Sequence, residues 1–543
     1  MNNSTFQFSV PENSPALSYA SGSLEREQLK SELKRQEEEQ TEIPLIIGGR
    51  EIRTGRFAEV VMPCDHSRIL ARCHLAGEKE AEMAIEAALR AKAEWSALSW
   101  VERASIQLKA AELVSTRYRP VINAATMLGQ AKNVFQAEID AACETIDYLR
   151  YNAYFASQIY AVQPRSLMDQ LNRVEYRPLE GFVFTVSPFN FTAIASNLNM
   201  SVALMGNTTV WKPSTTALLS NYHLMRIFME AGLPPGVVNF IPGRGAELSG
   251  RVLSHRELAG IHFTGSNSTF HQLWRGVAGR VADYRSYPRL VGETGGKDFI
   301  FAHASAEAEA VATAIVRGSF EYQGQKCSAP SRAYIPRSLW PRIREIIIEM
   351  LKRVRVGDVR DFGNFMNAVI DEKAFDRIMG YINAARSSPD VEIVFGGGGD
   401  KSTGYFIQPT VLRVSDPKYA TMQEEIFGPV MSLFVYEDSM FEETLRLCDD
   451  TSPYALTGAV FIRDRYAFIK ACQILRYAAG NFYINDKPTG AMVGLQPFGG
   501  ARASGTNDKA GGPLNLQRWI NPRTIKETFI PPTSFEYPFM AET

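Results

Sequence analysis

Long hydrophobic runs and an excess of charge of one sign are both missing from this 543-residue sequence. No apolar run approaches the roughly 20 residues that span a bilayer. The N-terminus has no apolar signal core and its first arginine is Arg26, which argues against a secretory signal and a transit peptide. Lys and Arg number 58 against 59 Asp and Glu, so no overall field attracts nucleic acid or an anionic membrane. We predict a cytoplasmic protein, with the mitochondrial matrix as the alternative for a eukaryotic source.

Cysteine is scarce, and none of the six residues forms a C-x-x-C pair, which argues against a disulfide framework or a thiolate zinc site. Cys64, His66, Cys73 and His74 lie close together in sequence, but adjacent Cys73 and His74 would point to opposite faces of a strand. We therefore predict no metal site. The G-x-G-x-x-G fingerprint is missing too, because Leu248 stands where GRGAELSG would need its third glycine. No G-x-S-x-G hydrolase elbow occurs either.

Apolar periodicity predicts an α/β protein with two doubly wound domains. Residues 23–40 are highly charged and predict a solvated helix or a loosely held arm, and Gly48-Gly49 centres a predicted hairpin. Helical spacing then runs from Glu78 to Tyr160. Short apolar strands alternate with helices up to FTGSNST, and a second alternating series begins near Lys297. Such alternation predicts parallel sheets covered on both faces.

Two segments fit neither series of strands and helices. Residues 161–179 look like an extended excursion, and the tail 514–543 ends in strand-like and Pro-rich sequence. We predict that together they form a small β flap that makes subunit contacts; a plain surface flap is an equally good interpretation. The predicted division is therefore an N-terminal helical arm (1–40), a first domain (41–160 and 180–295), a second domain (296–513) and the flap.

Three side chains are candidates for covalent chemistry. Cys327, in GQKCSA, is a strong nucleophile once deprotonated, and a loop entering a helix beside Lys326 could lower its pKa; taken alone it is more often a core residue. Glu293 ends an apolar strand before Gly295-Gly296, where it could act as a general base or be a simple turn carboxylate. It lies 327 − 293 = 34 residues before Cys327, so two neighbouring strands could deliver both to one crevice. Asn190 could polarise a carbonyl as an oxyanion donor, or be a turn residue after Pro188.

A candidate phosphate site lies in FTGSNST (263–269). Gly265 and Ser266 link an apolar strand to a helix, and backbone N–H groups at a helix N-terminus bind phosphate well. Lys212 ends another strand, where it can meet a phosphate or a ribose hydroxyl.

The motifs SPFNF, WKPS, FTGS, ETGGK, GQKCSA, EEIFGPV and PFGG, in this order, resemble the aldehyde dehydrogenase superfamily over roughly residues 40–535. The resemblance implies that Cys327 is the nucleophile, that Glu293 is the base, and that Asn190 and the Cys327 N–H form an oxyanion hole. It makes the first domain the NAD-binding domain and the second the catalytic domain. It implies dinucleotide contacts by Ser187, Lys212, Gly265, Ser266, Asn267, Ser268 and Thr269, with Glu425 on the nicotinamide ribose and Phe427 near its ring. We predict NAD, although Thr215 replaces the Glu of many NAD-preferring relatives and leaves NADP open.

A closer resemblance is to the L-glutamate γ-semialdehyde dehydrogenase family, carried by AGLPPGVVNFIPG, RLVGETGGKDF and QPFGGARASGTNDKAGGP. It implies NAD-dependent oxidation of the semialdehyde formed from Δ1-pyrroline-5-carboxylate to L-glutamate, the second step of proline breakdown, in a homodimer or larger assembly. Gly490 and Ala491 would bind the substrate carboxylate; some members have Ser at position 491. Ser328 would donate a further hydrogen bond and Phe498 would pack on the aliphatic chain.

Three alternatives remain at this point. Another aldehyde dehydrogenase would act on a different aldehyde. A phosphorylating reductase would need no hydrolytic base and is disfavoured by Glu293, and a non-catalytic relative would be expected to lose Cys327, Glu293 or Asn190. Glu144 is either an acidic group near the substrate ammonium or an ordinary helix-surface carboxylate.

Overall fold

The computed structural model describes residue 6 and residues 8–541 of the chain. Its first half contains, in order, α1 (Leu24–Glu38), β1 (Thr41–Ile43), β2 (Leu45–Ile47), β3 (Arg50–Ile52), β4 (Phe57–Met62), β5 (Asp65–His74), α2 (Glu78–Ala97), α3 (Trp100–Ser115), α4 (Arg119–Gln130), α5 (Val134–Ala137), a π-helical turn (Glu138–Glu144), α6 (Thr145–Ala161), β6 (Gln170–Pro178), β7 (Phe182–Val186), α7 (Thr192–Leu204), β8 (Thr209–Lys212), α8 (Leu218–Ala231), β9 (Val238–Phe240), α9 (Gly245–Ser254), β10 (Leu258–Thr264), α10 (Asn267–Ala278) and β11 (Arg289–Glu293).

The second half continues with β12 (Asp298–Ala302), α11 (Ala308–Phe320), a 3₁₀ turn (Glu321–Gly324), β13 (Pro330–Pro336), α12 (Trp340–Leu351), α13 (Glu372–Arg386), β14 (Val391–Phe395), β15 (Gly399–Asp400), β16 (Phe406–Ile407), β17 (Thr410–Val414), α14 (Ala420–Gln423), β18 (Val430–Tyr436), α15 (Phe441–Asp450), β19 (Tyr454–Ala455), β20 (Thr457–Phe461), α16 (Arg465–Ile474), β21 (Asn481–Ile484), β22 (Ala501–Arg502), α17 (Pro513–Gln517) and β23 (Ile520–Thr528).

The first large sheet has the order β11-β10-β7-β8-β9-β2-β3. Strands β7 to β11 run parallel, whereas β2 and β3 form the predicted hairpin at Gly48-Gly49. Successive residues of β7 face opposite sides, as the pleat of a strand requires. Phe182 and Phe184 pack in a core with α2, α9 and α10, and Val183 packs on the other face with residues of α7. Helices therefore cover both faces, which confirms the predicted doubly wound sheet.

The second large sheet has the order β14-β17-β18-β13-β12-β20-β21 and is parallel except for β14. Ile300 of β12 packs with α11 and α12, and Phe301 packs on the opposite face with residues of α15 and α16. In both sheets, successive strands are added first on one side of the starting strand and then on the other. The crevice at the carboxyl ends of the strands, where this order reverses, is where ligands bind in such folds.

Helix α1 is not the loosely held arm that its charge suggested. Its outer face is exposed, but Leu29 and Leu33 are buried in the core that contains α4. Burial of a leucine side chain contributes about 2 kcal/mol, more than the exposed ion pairs on this helix can supply. The amide of Gln36 also donates to the carbonyl of Val121 at 2.9 Å.

The helix predicted from FQAEIDAACETIDYLRYNA is interrupted by the π-helical turn between α5 and α6. Hydrophobic spacing does not distinguish this turn from an α-helix, and π turns occur often at functional sites. The two predicted flap segments contain β6 and β23, which form an antiparallel ribbon of nine residue pairs, from Gln170↔Thr528 to Pro178↔Ile520.

Candidate active site

A cavity of about 450 Å³ lies where the carboxyl end of β11 meets the loop before β13. Its wall contains seven of the residues that the sequence singled out: Cys327, Glu293, Ser328, Gly490, Ala491, Phe498 and Glu144. These residues come from widely separated parts of the chain. Their convergence on one cavity is the central geometric fact about this site.

Cys327 lies in the loop between the 3₁₀ turn and β13, so it precedes a strand and not a helix. Enclosure by protein, together with the negative charges of Glu293, Asp298 and Glu425, holds the pKa of its thiol well above the usual value. The ammonium of Lys326 does not counter this shift, because it pairs with Glu321 at 3.4 Å. The prediction of a lowered pKa is therefore wrong.

Glu293 is the last residue of β11, as predicted. Its Oε1 is buried and makes no hydrogen bond to any described residue. Burial raises the pKa of its carboxyl group to about 8, an effect that the positive charge of Lys509 only partly offsets. Leaving a buried carboxylate oxygen unpaired costs free energy, so this arrangement suits a group that meets a proton or a water during a reaction.

Glu293 and Cys327 do not come from neighbouring strands, as their spacing in the sequence had suggested. Glu293 ends β11 in the first sheet, and Cys327 precedes β13 in the second, so they do not sit on neighbouring strands. The ETGG segment makes the connection between them. A Cβ on Gly296 would overlap the carbonyl oxygen of Cys327, so only glycine lets this segment pass against the cysteine loop.

Asn190 lies beside the same loop. Its Nδ2 donates to the carbonyl of Gln325 at 3.1 Å, two residues before the cysteine, and its side chain is buried. It does not belong to the cavity wall. An amide nitrogen carries two hydrogens, so one donor of Asn190 is left for another acceptor.

The predicted dinucleotide residues lie at one edge of the first sheet. Ser187 follows β7, Lys212 ends β8 and Gly265 follows β10, and these three strands are adjacent. The carboxyl ends of parallel strands are where such folds bind ligands. Burial lowers the pKa of Lys212 to about 8, so a bound anion would stabilise its charged form. Ser187 accepts a hydrogen bond from Trp211 Nε1 at 3.0 Å.

The start of α10 has the features of a phosphate site. Ser266 caps the helix by accepting from Thr269 N, and its hydroxyl lies 3.1 Å from that of Ser268 and 3.0 Å from that of Thr269. A Cβ on Gly265 would lie 2.8 Å from the ring of Phe263, so this turn accommodates only a residue without a side chain. The side chain of Asn267 is committed to protein groups, because it bonds Gly295 N and Ala503 O. The three hydroxyls bond to one another, and Gly265 N donates to the carbonyl of Glu293, so the donors left for a phosphate are the first backbone N–H groups of the helix, which have no partner within it.

Glu425 holds the ETGG segment from the other side. Its Oε1 accepts from Gly296 N at 2.9 Å, and burial raises the pKa of its carboxyl group to about 7. A Cβ on Gly295 would overlap this carboxylate. Phe427 adopts a left-handed backbone conformation with φ of 54°. Its ring packs edge-to-face against that of Phe189, with 5.8 Å between the ring centroids.

A loop that carries Gly490 and Ala491 forms another part of the cavity wall. Gly490 has φ of 95°, a conformation that favours glycine. Ser328 Oγ lies 2.8 Å from the hydroxyl of Thr489. Phe498 is held by a reciprocal backbone pair with Ala510, at 2.8 Å in each direction. This part of the cavity wall therefore offers backbone N–H and hydroxyl groups as possible donors.

Residues 51–525 match the aldehyde dehydrogenase family. The chain belongs to that family. It is 50% identical over 536 residues to the mitochondrial Δ1-pyrroline-5-carboxylate dehydrogenase of Dictyostelium discoideum, covering 98% of this chain and 96% of that protein. It is 49% identical over 529 residues to the human mitochondrial protein of the same name, covering 97% of this chain and 94% of the relative.

Solved structures of enzymes with the same name are also similar to this chain. The crystal structure of Δ-pyrroline-5-carboxylate dehydrogenase from Mycobacterium tuberculosis has a TM-score of 0.97, 49% identity and full coverage of both chains. The same enzyme bound with NAD has a TM-score of 0.96. The NAD-bound enzyme from Thermus has a TM-score of 0.90 at 33% identity, covering 96% of this chain and 100% of that chain.

Sequence reasoning missed part of this aldehyde dehydrogenase cavity. Its wall includes a charged cluster, which consists of Arg317, Glu321, Lys326 and Lys487, and also residues 13–16 of the N-terminal segment. Glu321 and Lys326 lie close to Cys327 in sequence, so their place in the cavity wall could have been predicted from that position. Residues 13–16 carry no local signal, because their place in the wall depends only on long-range contacts.

Glu144 lies at the end of the π-helical turn and lines the cavity, so it is not a helix-surface carboxylate. Burial raises the pKa of its carboxyl group well above the usual value. The Cys64, His66, Cys73 and His74 candidates have other partners or are packed in the core; His74, for example, lies 3.0 Å from Glu42. Among the described residues no cluster of three or more metal-ligand side chains occurs, and no helix has the length and apolarity needed to cross a membrane.

Proposed function

We propose that this aldehyde dehydrogenase oxidises L-glutamate γ-semialdehyde to L-glutamate with NAD, the second step of proline breakdown. The semialdehyde forms from Δ1-pyrroline-5-carboxylate by ring opening in water. The observation that carries the proposal is the single cavity that holds Cys327, the unpaired carboxylate of Glu293 and the donor loop of Gly490 and Ala491. The names of the relatives from Dictyostelium and Mycobacterium support the choice of substrate.

The reaction begins at the sulfur of Cys327. Its proton passes to solvent, and the thiolate attacks the aldehyde carbon. The second amide hydrogen of Asn190 and the backbone N–H of Cys327 donate to the resulting oxyanion. When bound, NAD would supply the acceptor for the hydride of that carbon, and a thioester would remain on Cys327. Glu293, once deprotonated, takes a proton from water, whose oxygen attacks the thioester carbon; the C–S bond breaks and glutamate leaves.

The residues at the edge of the first sheet fit a dinucleotide. Helix α10 points its N-terminus, with Ser266, Ser268 and Thr269, at the space beside Gly265, where a pyrophosphate would find N–H donors. Lys212 and Ser187 stand at the ends of the adjoining strands. Glu425 would accept hydrogen bonds from the nicotinamide ribose, and Phe427 would pack near the ring. Thr215 lacks the carboxylate that many NAD-preferring relatives have at this position, so activity should be measured with NADP as well as with NAD.

The substrate carboxylate would lie against the backbone N–H groups of Gly490 and Ala491 and the hydroxyl of Ser328. Phe498 would pack on the aliphatic chain. Ala491 keeps the backbone donor but offers no hydroxyl, so recognition rests on the main chain at that position. Glu144, whose carboxyl group faces the cavity, is our candidate partner for the α-ammonium.

A panel of aldehydes tests the choice of substrate. With NAD, we expect kcat/KM for glutamate semialdehyde to exceed the values for succinate semialdehyde and propanal by at least about 100-fold, because only the first aldehyde fills both the carboxylate and ammonium sites. NADH absorbance is the measurement, repeated with NADP. A preference for another aldehyde would support a different dehydrogenase of the family, and no turnover of any aldehyde would support the non-catalytic alternative.

We also propose that residues 41–160 and 180–295 bind NAD, that 296–513 supply the catalytic cysteine, and that 161–179 with 514–543 form an oligomerisation flap. An isolated two-stranded ribbon is only marginally stable in water. The β6–β23 ribbon and its flanks expose large apolar side chains, among them Leu167, Met168, Leu171, Phe529 and Ile530. This composition favours contact with a second copy of the chain, in a homodimer or a larger homo-oligomer.

Light scattering after size-exclusion chromatography tests the flap. We expect the wild-type protein to be at least a dimer, and Ile530→Asp to shift it towards monomer because the substitution would bury a charge in the interface. Tyr466→Asp, at an equally exposed position on α16, is the matched control and should leave the mass unchanged. A monomeric wild-type protein would contradict the proposal.

For location, we propose the cytoplasm, with mitochondria as the alternative that the eukaryotic relatives' names favour. Cell fractionation distinguishes the two.

A further inference from the structure

The N-terminal segment forms part of the aldehyde cavity although it lies outside the matched family region. Residues 13–16, which we call the N-terminal strap, line the cavity together with the loop of Gly490 and Ala491. Ser14 is buried, Asn13 is half-buried, and the remaining two residues are exposed. The strap is therefore a part of the cavity wall that is open to solvent at residues 15 and 16.

The side chain of Asn13 joins three separate parts of the chain. Its Nδ2 donates to Asp147 Oδ2 at 2.8 Å and to the carbonyl of Val493 at 2.9 Å. Its Oδ1 accepts from the hydroxyl of Tyr151 at 3.3 Å. Both hydrogens of the amide are thus used, and one of them goes to a carboxylate, the stronger kind of acceptor.

Two carboxylates from the helical layer hold the strap in place. Asp147 of α6 accepts from Ser14 N at 2.7 Å, and Glu138 of the π-helical turn accepts from Leu17 N at 2.8 Å. Glu138 is itself paired with Arg119, a buried ion pair. Further bonds join Arg119 to the carbonyl of Pro15 and Tyr19 to Glu138, both at 2.8 Å. The strap is consequently a fixed support from which Asn13 reaches the loop.

The part of the loop that Asn13 holds follows the proposed carboxylate donors directly along the chain. Val493 is two residues after Ala491, and its side chain is buried against Tyr148 and Tyr151. The next residue, Gly494, has φ of 80° and no room for a Cβ against Tyr151. The loop is thus pinned at residues 493 and 494, while Gly490 and Ala491 extend into the cavity.

We propose that Asn13 is a positioning residue for substrate binding: by holding the carbonyl of Val493, it fixes the Gly490 and Ala491 N–H groups in the geometry that receives the substrate carboxylate. The inference rests on the proposed function and adds to it a determinant from outside the matched region. Asn13 does not touch the reacting carbon, so it acts on binding and not on the chemical step. An aldehyde without a carboxylate does not use these donors and does not depend on Asn13.

Steady-state kinetics of Asn13→Ala with NAD test this role. We expect KM for glutamate semialdehyde to rise about tenfold, which corresponds to about 1.4 kcal/mol, with kcat within about twofold of wild type. KM and kcat for propanal should stay unchanged. Asn13→Asp has nearly the same shape but replaces the donors with a carboxylate facing Asp147, so its KM should rise at least as far. Glu12→Ala, at the exposed neighbouring position, is the matched control.

The outcomes separate the inference from the function on which it rests. If wild type shows no preference for glutamate semialdehyde over propanal, the proposed function fails. If wild type shows that preference and Asn13→Ala keeps the wild-type KM, the positioning role is overturned. If Asn13→Ala loses kcat with both aldehydes and melts at a lower temperature, Asn13 is structural only, which also overturns the proposal.

Discussion

Cys327→Ala is expected to lower NADH production from glutamate semialdehyde by at least about 10⁴-fold, because it removes the proposed nucleophile. The other thiol of the cavity wall, Cys143, cannot replace it, since its sulfur is bonded to Arg119 and Glu138 and burial raises its pKa to about 12. The substitution removes one sulfur from a half-enclosed site, so the fold should survive it. NADH absorbance measures the loss, and binding of NAD by the variant, followed by fluorescence quenching, shows that the cofactor site is intact.

Cys472→Ala is the control for this experiment. Cys472 is likewise half-buried, but it lies on α16 and outside the cavity. Its activity should equal that of wild type. Normal NADH production by Cys327→Ala would end the covalent mechanism, whatever the substrate.

Glu293→Gln is expected to stop turnover after one NADH per active site. The glutamine keeps the size of the side chain but takes no proton from water, so the thioester forms and hydrolyses slowly, with a steady rate lower by about 10²–10⁴-fold. Rapid mixing would show the burst, and mass spectrometry of the quenched protein would show an adduct on Cys327. Repeated rapid turnover by this variant would contradict the assignment of the base.

The pH dependence of the wild-type enzyme provides a second test of Glu293. A base acts only when deprotonated, and burial raises the pKa of this carboxyl group to about 8. Steady-state kcat should therefore rise as the pH increases through about 8, and fall below it as the carboxyl group holds its proton. The residual rate of Glu293→Gln should lack that inflection. Turnover that requires inorganic phosphate would instead support the phosphorylating reductase.

The order of strands and helices was readable from the sequence because burial imposes local periodicity. Apolar runs such as those of β7 and β12 identify strands buried on both faces, and the hairpin at Gly48-Gly49 follows from its glycines. The candidates for the reactive side chains were found in the same way, since Glu293 and Cys327 stand beside turns that contain glycine. Motif order then indicated the family, which the family match over residues 51–525 confirms.

Electrostatics at the cysteine could not be predicted from neighbours in sequence. Lys326 adjoins Cys327 along the chain, yet its charge is used by Glu321, while the carboxylates of Glu293, Asp298 and Glu425 arrive from distant segments. A pKa depends on distances through space, and adjacency in sequence does not determine where a long side chain points. The predicted lowering of the thiol pKa failed for that reason.

By itself, the sequence determined the α/β class, the two series of strands and helices, the family and the candidates for the reactive thiol and carboxylate, because each of these leaves a local pattern of residues. Only the tertiary structure decided that Glu293 and Cys327 come from different sheets, that α1 is anchored, that a π-helical turn brings Glu144 to the cavity, and that residues 13–16 form part of its wall. Each of these depends on contacts between residues far apart in the chain, and such contacts have no signature in any one segment.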